Sequence, residues 1–360
     1  MTDRTHAMTP DGSLTVGYAA MLEQFAPREA VALTAHAEAN GFSGCMAADH
    51  FQPWVPQQGE ASFVWNVLAA VGERTEGDLG PGVTCPSFRF HPAIVAQAAA
   101  TLEALNPGRS WLGLGTGEAL NEHVVPGYWP EAGERSRRMW EAIDLINQLF
   151  TASLKGRDTK FAGEFFKMET TRLWTMPEVA PPVLVATAGP INAKKTGKFA
   201  DGMITVGAAD DKIRTLWDKF DEGAREAGKD PTGKPKILQL HMSWARTERE
   251  SIEQAVREWP NGGMPFPKQD IKNPEDFAAM AKLVRPEDFA NRVLMTSDVE
   301  MHAALIQHFV DIGFDEIHLH IVGRNQTEFI EVFGREVIPN LELTPQPAAT
   351  GTIRGTPDLR

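Results

Sequence analysis

Apolar and polar positions follow two alternating rhythms along this chain. Short β-branched or apolar runs read as buried strands: LTVGY (14–18), SGCMAA (43–48), LGPGVTC (79–85), SWLGLG (110–115), PVLVATA (182–188), GMITVG (202–207), ILQLHMSW (237–244) and EIHLHIV (316–322). Between them lie longer stretches whose apolar residues recur three and four apart, such as PREAVALTAHAEAN, HPAIVAQAAATLEALN, ERSRRMWEAIDLINQLF, DDKIRTLWDKFDEGAREAG and DVEMHAALIQHFVDIG, and these predict helices. Eight strand–helix pairs in one chain predict an α/β fold of the (β/α)8, or TIM, barrel type rather than an open doubly wound sheet.

Two segments interrupt the rhythm. Residues 155–176, containing DTKFAGEFFKME, predict a small hairpin inserted after the fourth helix. Residues 260–285, from WPNGGMPFPKQDIKNPEDF onward, form a Pro/Gly-rich insertion after the seventh strand, where a lid or substrate loop belongs. The expectation is one barrel domain over 1–343, followed by a Pro/Thr/Gly-rich tail at 344–360 that is loosely ordered or draped over the surface.

In such a barrel, reactive groups sit on the loops that follow the C-terminal ends of the strands. That rule gives meaning to AADHFQPW (47–54), which sets Asp49, His50 and Trp54 directly after the second strand. The same level after other strands holds Glu23 and Gln24, Cys85, Glu118 and Asn121, the Ala188-Gly189-Pro190 turn, and Thr205. Polar residues that are far apart in sequence are therefore expected at one mouth.

Composition narrows the partners. The 360 residues carry a net charge of −13, which argues against nucleic acid or an anionic membrane as a partner, since both would be repelled. Any anionic ligand must be held by local positive charge. The two cysteines, Cys45 and Cys85, are too few for a disulfide framework and suit a reducing cytoplasm. No apolar run approaches a membrane span, and the polar N-terminus lacks a signal-peptide core.

Each candidate has a chemical and a structural reading. His50 titrates near neutrality and can accept a proton from a hydroxyl under oxidation; it can equally be a packed residue beside a capping Asp49. Trp54 can wall a pocket and donate a hydrogen bond. GLGTGEALNE (113–122) looks like a nucleotide fingerprint, but Glu118 stands where the third glycine belongs, so the Rossmann reading fails. Gly82 suggests a bulge or a close approach to a flat ring. Pro190 opens a helix whose N-terminus can bind an anion, with Lys194, Lys195 and Lys198 as added positive charge or as a solvated face. His318 and His320 point to one side of the last strand and have no acidic partner at metal-ligand spacing, so a structural or pocket-lining role is expected and no metal. Glu23 and Glu118 also admit a glycosidase-like carboxylate pair.

Taken together, GYAAMLEQFAPRE, AADHFQPW, AVGERT, PSFRFHPAIVAQA, LGLGTGEALNE and ATAGP resemble the deazaflavin-dependent glucose-6-phosphate dehydrogenases of the luciferase-like hydride-transferase superfamily, over most of residues 14–340. The resemblance implies that coenzyme F420, an 8-hydroxy-5-deazaflavin, lies in the mouth against Asp49, a bulge at Gly82-Val83, Cys85, Asn121 and the Ala188-Gly189 turn. In that family the bulge carries a non-prolyl cis peptide, and here Cys85 takes a threonine-like position. The coenzyme's phosphate and polyglutamate tail would run toward the Lys194–Lys198 helix. By the same resemblance His50 takes the hydroxyl proton as hydride leaves, Trp54 holds the reacting centre, Glu118 serves the ring's proton balance, and Glu23 orients His50 or the substrate.

The family grips a sugar phosphate with two lysines and an arginine. Aligning ITVGAADD and NPEDFAAMAK puts Ala208 and Ala279 at the lysine positions and leaves Arg292; Thr205 is a further substrate-binding candidate. Lys282, or Lys268 and Lys272, are the candidate substitutes. The implied protein is a cytoplasmic, homodimeric F420-dependent dehydrogenase acting on the CH–OH group of a sugar, a sugar 6-phosphate or a related alcohol. The competing readings are an FMN-dependent luciferase-like monooxygenase, a carboxylate or metal hydrolase, and a non-catalytic sugar-binding barrel.

Overall fold

The structure, a computed structural model, describes residues 14–125 and 127–342; the expected tail at 344–360 lies outside the described residues. Eleven strands follow in chain order: β1 (Thr15–Ala20), β2 (Gly44–Ala47), β3 (Asp78–Pro81), β4 (Leu112–Leu114), β5 (Thr159–Ala162), β6 (Lys167–Thr171), β7 (Val183–Ala186), β8 (Gly202–Val206), β9 (Lys236–Ser243), β10 (Leu294–Met295) and β11 (Glu316–Ile321). Eight of them form one parallel sheet in the order β3-β2-β1-β11-β9-β8-β7-β4. Two bridges, Leu79 to Ser110 and Thr84 to Leu114, join its ends. This is the expected TIM barrel. The antiparallel pair β5–β6 falls within 155–176, where the hairpin was predicted.

Two details were not visible in the periodicity. The third strand run was expected to continue to Cys85, but its ladder breaks at Gly82-Val83, whose peptide bond is cis, and resumes when the Thr84 amide reaches the Gly113 carbonyl at 2.9 Å. The two-residue β10 pairs with the end of β9 and is too short to carry a period of its own. The 260–285 insertion also contains structure, with helices at Pro260–Gly263 and Pro274–Ala281.

Period-2 alternation divides every barrel strand between the lumen and the helix layer. Met46, Trp111, Leu184, Ile204 and Ile237 pack together inside the barrel. Their bulk is matched by glycines on neighbouring strands: a Cβ on Gly80 would fall 2.2 Å from the Trp111 ring, and one on Gly17 2.3 Å from Nδ1 of His318. Outward residues meet the helices; the helix Asp210–Glu226, for example, buries Ile213, Leu216 and Phe220 along one stripe. Burying such a side chain contributes about 1.5–3 kcal/mol, so a continuous outer layer anchors the strand ends that carry the mouth.

Candidate active site

The loop after β2 is held from below by a buried ionic knot. The Thr84 hydroxyl donates to Oδ2 of Asp49, and Nη2 of Arg89 lies 3.2 Å from Oδ1 of Asp49 and 2.8 Å from its carbonyl. The same guanidinium meets Glu122 through Nε at 3.0 Å, while the Arg89 amide donates to the second Glu122 oxygen at 2.9 Å. Burial raises the Glu122 pKa, with Arg89 opposing the rise, and Arg89 in turn is held cationic by Asp49 and Glu122 against its own burial. Asn121 completes the knot: its Oδ1 accepts the amides of Phe51 at 2.9 Å and Gln52 at 3.3 Å. The chain leaving Asp49 is thereby fixed, and His50 is presented over the lumen.

His50 is gripped by one carboxylate. Its Nδ1 lies 2.8 Å from Oε1 of Glu23, a residue of the loop after β1 whose side chain is only 3% exposed. Burial works against a charged His50, but the hydrogen-bonded Glu23, with Glu118 and Asp49 adding to it, overcomes burial and leaves its pKa raised. Because Nδ1 is committed to Glu23, the neutral ring carries its proton there and offers the Nε2 lone pair. Trp54 stands edge-on to the ring at 5.3 Å and is itself backed by Phe277 at 5.2 Å and Trp259 at 6.1 Å. Glu118, half-buried, has its pKa raised by burial against the pull of His50 and Lys268. The mouth therefore joins an oriented base, a second carboxyl with a strengthened hold on its proton, and an aromatic wall.

Lys268 is the loop cation that reaches this group. Its Nζ donates to the Asn261 carbonyl at 2.7 Å, and burial, followed by attraction from Glu118 and repulsion from Arg292, sets a lowered pKa. The guanidinium of Arg292 is fixed to the Met264 carbonyl at 2.8 Å. Neither is ion-paired with a carboxylate within 4 Å among the described residues. The loop bearing Lys268 is tied down by the Ala119 amide on the Gln269 carbonyl at 2.8 Å, and by Asp270, which accepts from Trp129 at 2.8 Å and from Arg135 at 2.9 Å.

Several sequence expectations need correction. Lys282 is exposed at the end of the helix Pro274–Ala281, and Ala279 on that helix is exposed too, because the helix turns Phe277 inward onto Trp54. Of the lysines offered as substitutes, the one beside Arg292 is Lys268. Thr205 pairs in register with Leu238 and shares the helix-facing side with Met203, so Val206 takes the lumen side at that end of β8. Cys85 is buried with Sγ 3.4 Å from the Ser87 hydroxyl, its thiol pKa pushed up by burial, and the threonine that meets Asp49 is Thr84. Lys194 is spent on Glu222 at 2.6 Å and Glu226 at 2.7 Å, bracing one helix against the next. His318 is paired with Glu316 deep in the barrel, and His320 faces the mouth. No group of three or more candidate ligands that could hold a metal occurs among the described residues. Sequence reading missed Arg89, Glu122, His241 and Trp259; the last two lie on or just beyond the β9 unit, and inward alternation from Ile237 would have flagged His241.

Small residues line the lumen wall above Met46. Val83 and Ala186 form its floor, Gly115 faces Val83 so closely that a Cβ would sit 2.7 Å from Cγ2, and a Cβ on Gly189 would meet nothing within 4 Å.

The luciferase-like monooxygenase family model matches residues 5–316. A protein of Rhodococcus jostii (strain RHA1) named F420-dependent glucose-6-phosphate dehydrogenase 2 is 37% identical over 335 residues, covering 91% of this chain and 98% of its own. A protein of Mycobacterium leprae (strain Br4923) named F420-dependent glucose-6-phosphate dehydrogenase is 36% identical with the same coverage. Among solved structures, an F420-dependent secondary alcohol dehydrogenase in complex with an F420-acetone adduct superposes with a TM-score of 0.84 at 30% identity, covering 91% of this chain and 98% of that one. The coenzyme F420-dependent tetrahydromethanopterin reductase from Methanopyrus kandleri, at 21% identity and TM-score 0.73, shares the fold.

Proposed function

This chain belongs to the luciferase-like monooxygenase family, and from that premise we propose that it is an F420-dependent dehydrogenase oxidising the CH–OH carbon of a sugar phosphate or related alcohol. The observation that carries the reading is the 2.8 Å contact between His50 Nδ1 and Glu23, which leaves Nε2 as an oriented base at the mouth.

Small residues at Gly82, Val83, Gly115, Ala186, Ala188 and Gly189, with Cys85 and the Asp49–Asn121 loop at the rim, hold the coenzyme in this reading. Bound deazaflavin supplies a hydride acceptor. His50 Nε2 takes the hydroxyl proton as the carbon–hydrogen bond gives up hydride and the alcohol becomes a carbonyl. Glu23 fixes the tautomer and stabilises the imidazolium, Trp54 fixes the ring from the side, and Glu118 retains a proton at the opposite wall. Lys268 and Arg292 hold the substrate's anionic group. Phe277 and Trp259, behind Trp54, keep water from the reacting carbon.

We place the enzyme in a reducing cytoplasm as a homodimer. Cys45 and Cys85 are both free and buried. No described helix is long and apolar enough to cross a membrane. An apolar groove between the helices Val64–Gly72 and Pro92–Leu105, with Phe63, Ile94 and Leu105 exposed along it, supports pairing of two copies. Light scattering of the wild type and of Ile94→Glu tests this, with a shift from dimer to monomer expected.

The deciding experiment is anaerobic mixing of the protein with oxidised F420 and glucose 6-phosphate, matched against unphosphorylated alcohols. Loss of the coenzyme's visible absorbance is expected. No bleaching with either class, together with oxygen-dependent turnover on FMN, would establish the monooxygenase reading instead.

A further inference from the structure

His241 and His320 occupy the lumen side of β9 and β11, directly opposite one another in register. Their Nδ1 atoms are in hydrogen-bonding contact, with ring centroids 4.7 Å apart. Two nitrogens facing each other can share only one proton, so neutral rings must take opposite tautomers. Burial keeps both neutral: His241 falls to about 4, with Lys268 pushing in the same direction, and His320 falls well below its ordinary value, with His241 adding to the drop. Carboxylates that would favour a charge, Glu23 and Glu118, bear on His50 rather than on this pair.

The pair is not part of the barrel's internal satisfaction. His320 is 1% exposed and its Nε2 has no hydrogen-bond partner, as is also true of Nδ1 of His318 one layer below, whose Nε2 is matched by Glu316; His320 differs in adjoining the half-buried His241 at the mouth end of the strands. An apolar residue at 320 would remove that cost of about 1–3 kcal/mol for an unpaired buried polar atom. An unpaired nitrogen beside the half-buried His241 is explained by a ligand that enters past His241 and completes its hydrogen bonds. Trp259 stacks edge-on to His320 at 4.5 Å and touches Trp54 at 6.1 Å, so one aromatic wall runs from the His241–His320 pair to His50.

We propose that the His241–His320 pair binds a second hydroxyl of the substrate, making this site selective for diols and polyols whose oxidised carbinol lies at His50. The inference rests on the dehydrogenase reading and deepens it. Because the shared proton can move from one Nδ1 to the other, each outward nitrogen can switch between donor and acceptor without a change of net charge. A hydroxyl, which both donates and accepts, is the group this pair fits best. An anion could use only the donor nitrogen of the pair and would leave the acceptor nitrogen unmatched, whereas a hydroxyl uses both.

The test compares butane-2,3-diol with butan-2-ol, which match in length and differ by one hydroxyl, in wild type, His241→Leu and His241→Asn. The wild type is expected to show a KM for the diol about 10-fold lower than for the mono-alcohol, the discrimination that about 1.4 kcal/mol provides. His241→Leu brings that ratio toward one, and His241→Asn, which keeps a donor and an acceptor, restores part of it. Parallel titration of coenzyme-free protein with the diol, read by tryptophan fluorescence, follows binding where no turnover is required. If wild type bleaches F420 with neither alcohol, the dehydrogenase reading falls, while the titration still decides the pair's role. An unchanged KM ratio in His241→Leu, or unchanged diol binding where turnover is absent, overturns the proposal.

Discussion

Nδ1 of His50 and Oε1 of Glu23 lie 2.8 Å apart, and this one contact fixes the tautomer, the orientation and the basicity of the proposed base. Burial alone would lower the His50 pKa; Glu23, by charge and by hydrogen bond, reverses the sign. A base with a raised pKa stays protonated to a higher pH, so kcat/KM should rise with pH through a value above the 6.5 of an ordinary imidazole. Glu23→Gln removes the largest upward contribution and leaves burial in place. Its acid limb should move to lower pH while kcat drops by roughly 10²-fold, the usual scale of base catalysis. A pH–rate profile of both proteins checks this, and an unmoved limb would separate Glu23 from His50 in function.

His50 itself offers a simpler comparison. His50→Ala should retain coenzyme affinity within a few fold, because most of the coenzyme contacts proposed above, Val83, Gly115 and Ala186 among them, lie on other strands and loops, and should lose roughly 10²-fold or more in kcat. Fluorescence titration with F420 and stopped-flow bleaching measure the two quantities separately.

How far the sequence could be read follows from where its signals live. The barrel was legible because strand and helix periods are local, and each unit repeats the pattern. The end-of-strand rule brought His50, Trp54, Glu23, Glu118 and Asn121 to one mouth, since topology alone decides which end of a strand they occupy. Facing is less forgiving: Thr205 was assigned to the right strand end, but a single residue separates lumen from helix side, and the register with Leu238 turns it outward. Contacts that span loops left no sequence trace. Arg89 reaches Asp49 across forty positions, and the loop that carries Lys268, a residue the sequence did offer, is latched by Arg135 on Asp270 and Ala119 on Gln269.

Arg89 neutralises two buried carboxylates at once, so its loss should be felt in stability before catalysis. Arg89→Met leaves Asp49 and Glu122 facing each other without a cation in a buried site. Breaking a buried pair in this way costs about 3–5 kcal/mol. A large fall in the urea midpoint is expected, and Arg89→Met/Glu122→Gln, which removes one of the stranded charges, should recover part of it. Additive losses in the double variant would show that the two residues do not act as a pair.

Phosphate selectivity should follow Lys268 and ignore Lys282. The ammonium of Lys268 lies within electrostatic reach of Arg292, whereas Lys282 is exposed beyond the helix end. Lys268→Ala is expected to raise KM for a phosphorylated substrate by about 10-fold or more, since charge-assisted hydrogen bonds contribute about 1.5–3 kcal/mol, and Lys282→Ala should leave it unmoved. Steady-state KM values for both variants decide between the two lysines.

The lower end of the lumen gives a prediction in stability rather than rate. Burial, reinforced by Glu316 and only partly offset by Arg109, pushes the Asp78 carboxyl from 3.8 to about 8. The fold therefore favours the protonated acid, and the stabilisation this provides is fully present below pH 3.8, declines as pH rises and is lost above about 8. Asp78→Asn holds a neutral, nearly isosteric side chain at every pH, so it should match the wild type at or below pH 3.8 and gain on it steadily as pH rises to about 8. The gain in Tm should be at least about 2–4 °C, the shift that roughly 1 kcal/mol produces in a chain of this size. Thermal melts of both proteins at the two pH values test it, and a variant that is less stable on the alkaline side would mean that Asp78 is ionised and paired with Arg109 in the folded state.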